Sequence, residues 1–188
     1  VRRLDCEQTR EPEMPSNRAD LPSRSGRLAA ERHGDRIRLD LPARPPSAAS
    51  LPPGVTEALG IAPVRAARSG NDLLIEVAKA AAIPSLQPDF AALAAVEARL
   101  VIVTATDETG RHDVVSRVFA PRVGIDEDPV TGAAHCLLAP YWSARLGKDE
   151  MTALQASARS GEIDMRLAGD RVIVAGRAIT TVEGRLHG

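Results

Sequence analysis

Nine consecutive residues hold most of the reactive chemistry in this chain: Asp128-Pro129-Val130-Thr131-Gly132-Ala133-Ala134-His135-Cys136. They offer a carboxylate, a hydroxyl, an imidazole and a thiol at the head of a long apolar run. From Gly132 to Ala144 only His135 and Ser143 interrupt Ala133, Ala134, Cys136, Leu137, Leu138, Ala139, Tyr141 and Trp142. Such a run predicts a helix over 129–146, apolar all round and therefore buried all round. Its first turn is small: Thr131, Gly132, Ala133, Ala134. First-turn amides lack intrahelical partners and sit at the positive end of the macrodipole. Small residues leave those amides open, which suits a carboxylate or phosphate. The plainer alternative is that Asp128 is an N-cap followed by Pro129, with Gly132-Ala133 only permitting close packing. Pro140 removes the bond to the carbonyl of Cys136 and should bend the helix. Cys136 reads as a buried, inert thiol. His135 either faces the cleft or is a packed or solvent-facing histidine. Arg159 is either a carboxylate partner or a plain surface arginine.

The elements that must position this segment are mostly strands. Residues 26–31 and 36–41 form a hairpin around His33-Gly34-Asp35, with Ile37, Leu39 and Leu41 on one face. Five prolines in 42–53 make a loop. A short helix over 55–59 stops at Gly60. Residues 63–68 and 72–77 form a second hairpin around Ser69-Gly70-Asn71. Pro88 and Asp89 open a helix to about residue 99, burying Phe90, Leu93, Ala94 and Val96. Strands over 100–106 and 112–120 flank Glu108-Thr109-Gly110. Val101-Ile102-Val103 is apolar on both faces, as in a central strand. Residues 149–154 suggest a turn of helix. Strands over 155–160, 162–167, 171–175 and 178–183 close the chain, with turns at Gly161, Gly169-Asp170 and Gly176-Arg177. The expected class is α+β, a mostly antiparallel sheet around a central buried helix.

Composition narrows the rest. The 188 residues carry a net charge of -1 and 44% hydrophobic residues, so the chain can form a packed core of one domain or two small ones. Near-zero charge and 2% aromatics argue against nucleic-acid partners. No apolar run approaches a membrane span, which takes roughly 20 residues. Cys6 and Cys136 make no disulfide framework, so the default setting is reducing and cytoplasmic. His33, His112, His135 and His187 show no metal-ligand spacing. Residues 1–24 hold ten charged residues, three prolines and no apolar period, the pattern of a disordered or foreign arm before a domain over 25–188.

The run Phe119-Ala120-Pro121-Arg122-Val123-Gly124-Ile125-Asp126-Glu127-Asp128-Pro129-Val130-Thr131-Gly132-Ala133-Ala134-His135-Cys136 resembles the C-terminal signature of the PhzF-like (phenazine-biosynthesis-type) isomerases. The resemblance continues through Ala139-Pro140-Tyr141-Trp142 and Arg145-Leu146-Gly147-Lys148, and reaches back through Leu39-Asp40-Leu41-Pro42 to about Ser25. It implies one half of a diaminopimelate-epimerase-like fold, whose two pseudo-symmetric halves each wrap a sheet around a helix. The implied activity is cofactor-independent proton transfer on a small acidic metabolite, with no metal or organic cofactor. Asp128 matches the motif aspartate that orients or protonates substrate. Gly132 and Ala133 match the pair that binds the acid group, although many members have serine at the position of Ala133; Thr131 and His135 complete the implied site. Related epimerases place a cysteine where Thr131 stands, and a threonine hydroxyl cannot replace a thiolate, so two-thiol racemisation is disfavoured.

The family's general-base glutamate, in an Asn-Asn-x-Ser-Glu-type motif, and its Gly-His-Ala-Thr-type segment do not occur in these 188 residues. Three explanations stay open: a truncated gene, a start read in the wrong frame, or a half supplied by another chain. The expected partners are a small acidic substrate or anion, with a complementing N-terminal half or a second copy as protein partner. The alternative function is a non-catalytic half-domain that binds an anion or a partner.

Overall fold

The computed structural model describes residues 18–23, 26–182 and 184. Its strands are β1 (Arg18–Ser23), β2 (Gly26–His33), β3 (Arg36–Pro42), β4 (Ser47–Ala48), β5 (Pro63–Ser69), β6 (Asp72–Val77), β7 (Leu100–Thr106), β8 (Val114–Ala120), β9 (Ile125–Glu127), β10 (Glu150–Gln155), β11 (Gly161–Ala168) and β12 (Arg171–Arg177). The helices are α1 (Val55–Leu59), α2 (Phe90–Ala95) and α3 (Gly132–Leu146). The strands form one sheet in the order β1-β2-β3-β12-β11-β10-β8-β7-β6-β5-β4, with β9 paired to β8. Pairing is antiparallel except between β6 and β7 and between β8 and β10. The expected α+β class with predominantly antiparallel pairing is what the chain forms.

Two cores explain the arrangement. On one face of the sheet, α3 packs against residues of β6, β7, β8, β10, β11 and β12, including Leu74, Ile102, Val118, Met151, Met165 and Val174. The other face buries Val101, Val103, Phe119, Leu59 and Leu93 under α1 and α2. Val101, Ile102 and Val103 are at most 1% exposed and alternate between these cores, so a strand apolar on both faces is a strand covered on both.

Several boundaries differ from expectation, each for a local reason. The stretch expected as a turn of helix over 149–154 instead falls largely in β10, Glu150–Gln155. Met151 and Ala153 are buried while Glu150 and Thr152 are exposed, the period of a half-buried strand. The strand expected over 155–160 ends at Gln155. Beyond it the Ser157 hydroxyl donates to the carbonyl of Pro129 and accepts from the amide of Ser160, closing a turn. Gly161 begins β11 rather than forming a turn. Gly176-Arg177 is not a turn either; β12 runs through it in register with Ile37 and Arg36. Residues 178–182 are outside any strand, and residue 183 lies outside the described residues.

Helix α2 is shorter than the span 88–99. The Asp89 carboxylate caps it by accepting from the amide of Ala92, and Val96 is already extended. Residues 18–23, expected within a loose arm, are strand β1, paired along β2. A strand needs backbone partners rather than an apolar period, and β2 supplies them; Asp20 adds exposed ion pairs to Arg18 and Arg27. The rest of the expected arm, residues 1–17 and 24, lies outside the described residues.

Candidate functional site

Helix α3 starts three residues later than the sequence pattern suggested, at Gly132, with Thr131 as N-cap. The Asp128 cap reading is thereby corrected. The Asp128 carboxylate instead accepts from the amide of Val130 at 3.3 Å, tying the loop before the helix. Asp128 is half-buried, its amide donating to the carbonyl of Val118 on β8.

The residue that holds this loop is Gln155, at the end of β10 and 0% exposed. Its Nε2 donates to the carbonyl of Asp128 at 2.6 Å and to Thr131 Oγ1 at 3.1 Å. Its Oε1 accepts from the amide of Thr131 at 2.8 Å. One side-chain amide thus fixes both ends of Asp128-Pro129-Val130-Thr131. Sequence reasoning missed Gln155; the legible signal was a polar residue at the end of the alternating strand Glu150–Gln155, at a position whose side chain turns inward.

The Thr131 amide donates to Gln155 Oε1 and its hydroxyl oxygen accepts from Gln155 Nε2, so this residue, 6% exposed, anchors the loop. Gly132 and Ala133, both half-buried, keep first-turn amides that an α-helix leaves without internal partners.

His135 is 1% exposed. Its Nδ1 lies 2.7 Å from the carbonyl of Thr131, which can only accept, so Nδ1 carries the proton. Nε2 is therefore an acceptor, and it has no partner among the described residues. Burial pushes the imidazole's pKa down, against the bond to Thr131. In this neutral tautomer the ring presents a lone pair at Nε2.

His135 and Gly132 share a cavity of about 270 Å3, walled chiefly by Ile37, Leu39, Val130, Ile163 and Val174. The structure thus brings Gly132 and His135 together, whereas Asp128 does not line that cavity. Gly161 contributes by absence of a side chain: a Cβ there would lie 2.6 Å from Val130 Cγ2, so Val130 rests directly on β11.

Further along α3, Pro140 leaves the Cys136 carbonyl free as expected, and the amide of Arg44 takes it at 2.9 Å. The Arg44 guanidinium in turn pairs with Asp72, which Arg99 also binds. Cys136 is 4% exposed and burial pushes its thiol up to about 11, as fits an inert core residue. Arg159 is exposed in the loop after β10. Among the described residues no group of three His, Cys, Asp or Glu is placed to hold a metal ion, and no helix is long and apolar enough to cross a membrane.

A buried helix with a small-residue start thus stands in this sheet beside a glutamine-held Asp-Pro loop. The chain belongs to the phenazine biosynthesis-like (PhzC-PhzF) family, whose model matches residues 42–184. It is 46% identical over 173 residues to a protein of Pseudomonas aeruginosa named an uncharacterized isomerase, covering 92% of this chain and 66% of that protein. It is 38% identical to phenazine biosynthesis-like domain-containing protein 2 of Mus musculus, covering 86% of this chain and 62% of that one. Among solved structures, a PhzF family protein of Enterococcus faecalis superposes with a TM-score of 0.82 at 34% identity, over 91% of this chain and 65% of that one. The chain therefore spans a little under two thirds of the length of these relatives.

Proposed function

We propose that this chain forms the acid-binding side of a PhzF-like isomerase that moves a proton on a small, unsaturated carboxylic acid without a cofactor. The observation that carries the reading is the start of α3: two half-buried amides at Gly132 and Ala133, at the positive end of a fifteen-residue helix. They hold the acid group and Ala133 contributes through its backbone alone. Asp128, held on the Gln155-fixed loop, orients the substrate or returns a proton to it.

A proton on carbon needs a base of tuned pKa within hydrogen-bond reach. The family's glutamate motif is not among these 188 residues, so the base comes from outside them, in the manner of a two-half, epimerase-like architecture whose cleft α3 faces. The Pseudomonas aeruginosa relative's name favours this catalytic reading over a purely binding half-domain.

The test is proton exchange in deuterated water, followed by NMR on conjugated dienoic acids. The chain alone is expected to give no exchange, since loss of a general base costs roughly two to four orders of magnitude. Coexpression with the remaining third of the Pseudomonas aeruginosa relative is expected to restore exchange, and Asp128→Asn to lower it again. Exchange by the chain alone that vanishes in Asp128→Asn would make Asp128 the base and overturn the assignment of roles.

A further inference from the structure

Three arginines converge where strands β5 to β8 meet at one end of the sheet. Arg68 stands near the end of β5, Arg99 just before β7 and Arg122 just after β8. Strand pairing gathers them: Arg68 is opposite Leu73 on β6, Asp72 is beside Leu100 on β7, and Val101 is opposite Phe119 on β8. With Asn71, Glu97, Ala98 and Val123 the three line a cavity of about 460 Å3. Each guanidinium spends part of its fork on the fold. Arg68 Nη1 donates to the carbonyl of Glu97 at 2.8 Å, and Arg122 Nη1 to the carbonyl of Val96 at 3.3 Å. Arg99 gives Nε and Nη2 to Asp72, at 2.9 and 2.6 Å. A guanidinium carries five N–H donors, so each is held in place with donors left over. The charges do not balance. Asp72, 0% exposed, lies between Arg44 and Arg99, while Arg68 and Arg122 reach only carbonyls among the described residues. Glu97 is the other carboxylate at the cavity. Four guanidiniums thus stand against two carboxylates, an excess of two positive charges around one concave site, which concentrates the field there and favours an anion.

We propose that this cavity binds the phosphate group of a phosphate monoester. A carboxylate offers two oxygens and one charge, enough for one guanidinium fork. A phosphate monoester offers three terminal oxygens and a charge of about −1.5 to −2 at pH 7, which matches three forks and the excess of two charges. The cavity's size lies within the roughly 300–1,000 Å3 of small-molecule sites, so the ester's organic part also has room, against Ala98 and Val123. The inference goes beyond the acid site proposed for α3, since Asp128, Gly132 and Ala133 are not on this wall. Arg99 and Arg122 are exposed, so the affinity falls with added salt.

A 15N NMR titration of the chain with phenyl phosphate, inorganic phosphate and benzoate tests this. Phenyl phosphate is expected to bind saturably, to move the Nε resonances of Arg68, Arg99 and Arg122, and to bind more tightly than either of the other two. Arg68→Gln and Arg122→Gln are each expected to weaken it about three- to tenfold, the range of one lost hydrogen bond. Glu97→Gln removes a carboxylate beside the anion and is expected to tighten binding, a gain that a damaged fold would not produce. The wild-type shifts stand as evidence even if an arginine variant folds poorly. Saturation with all three Nε resonances unmoved, or an affinity unchanged in both arginine variants, would overturn the proposal. So would shifts confined to the Gly132 and Ala133 amides, which would put the anion at α3 instead. Inorganic phosphate binding as tightly as phenyl phosphate would make free phosphate the occupant and overturn the ester, and benzoate binding as tightly would overturn the phosphate.

Discussion

Gln155 and His135 are the two side chains whose chemistry is decided by burial rather than by type. Replacing Gln155 with leucine keeps the volume and removes three hydrogen bonds. The Thr131 amide and the Asp128 carbonyl are then left unpaired, and each such group costs about 1–3 kcal/mol. Gln155→Leu is expected to lower unfolding free energy by about 2–4 kcal/mol in urea titrations. His135 carries a pH signature. Burial lowers its folded-state pKa below the unfolded value of about 6.5, so the unfolded state takes up the proton first as pH falls. Its contribution is complete above about pH 6.5 and is lost progressively below it, until the folded ring also titrates. Urea midpoints at pH 7.5 and 5 should differ more in the wild type than in His135→Phe; equal slopes in both would contradict the buried neutral ring. The nine-residue segment stands out in the sequence as a candidate because its residue types cluster. The tautomer of His135 and the hold of Gln155 were not legible there, since both depend on partners brought from elsewhere in the chain.

Among the elements, α3 was the most legible, because a helix apolar all round has only one place to go. Its consequence at Pro140 was legible too, but not the answer: the freed Cys136 carbonyl meets the Arg44 amide from the loop after β3. The misread elements lie where local pattern and pairing disagree. The stretch 149–154 reads as a turn of helix in isolation, yet 150–154 becomes part of a strand because β8 and β11 flank it. Arg18–Ser23 has no apolar period and still pairs with β2. Gly161 on β11 lies directly against Val130 before α3. Gly161→Ala places a methyl carbon 2.6 Å from Val130 Cγ2, and overpacking of that kind costs about 1–3 kcal/mol. Val130→Ala in the same chain should recover most of the loss in thermal or urea midpoints. A double variant no better than Gly161→Ala would show that Val130 does not rest there.

At the scale of the whole molecule, one sheet carries two cores, and only the core around α3 reaches the family's site motif. The second core, under α1 and α2, packs on β6, β7 and β8, and β8 pairs with β9 and β10, from whose ends Asp128 and Gln155 are presented. The fold class followed from strand and turn patterning, but the sheet order did not, because the β6–β7 and β8–β10 parallel joins connect strands separated by helices. The start of α3 is the proposed acid-binding site. The most direct measurement is an amide-resolved NMR titration of the chain with hexa-2,4-dienoate. Saturable shifts centred on the Gly132 and Ala133 amides, abolished by Gly132→Val with the fold intact, are the predicted result. Amides at Gly132 and Ala133 that stay in place through saturating dienoate, or shifts that persist in Gly132→Val, would contradict it.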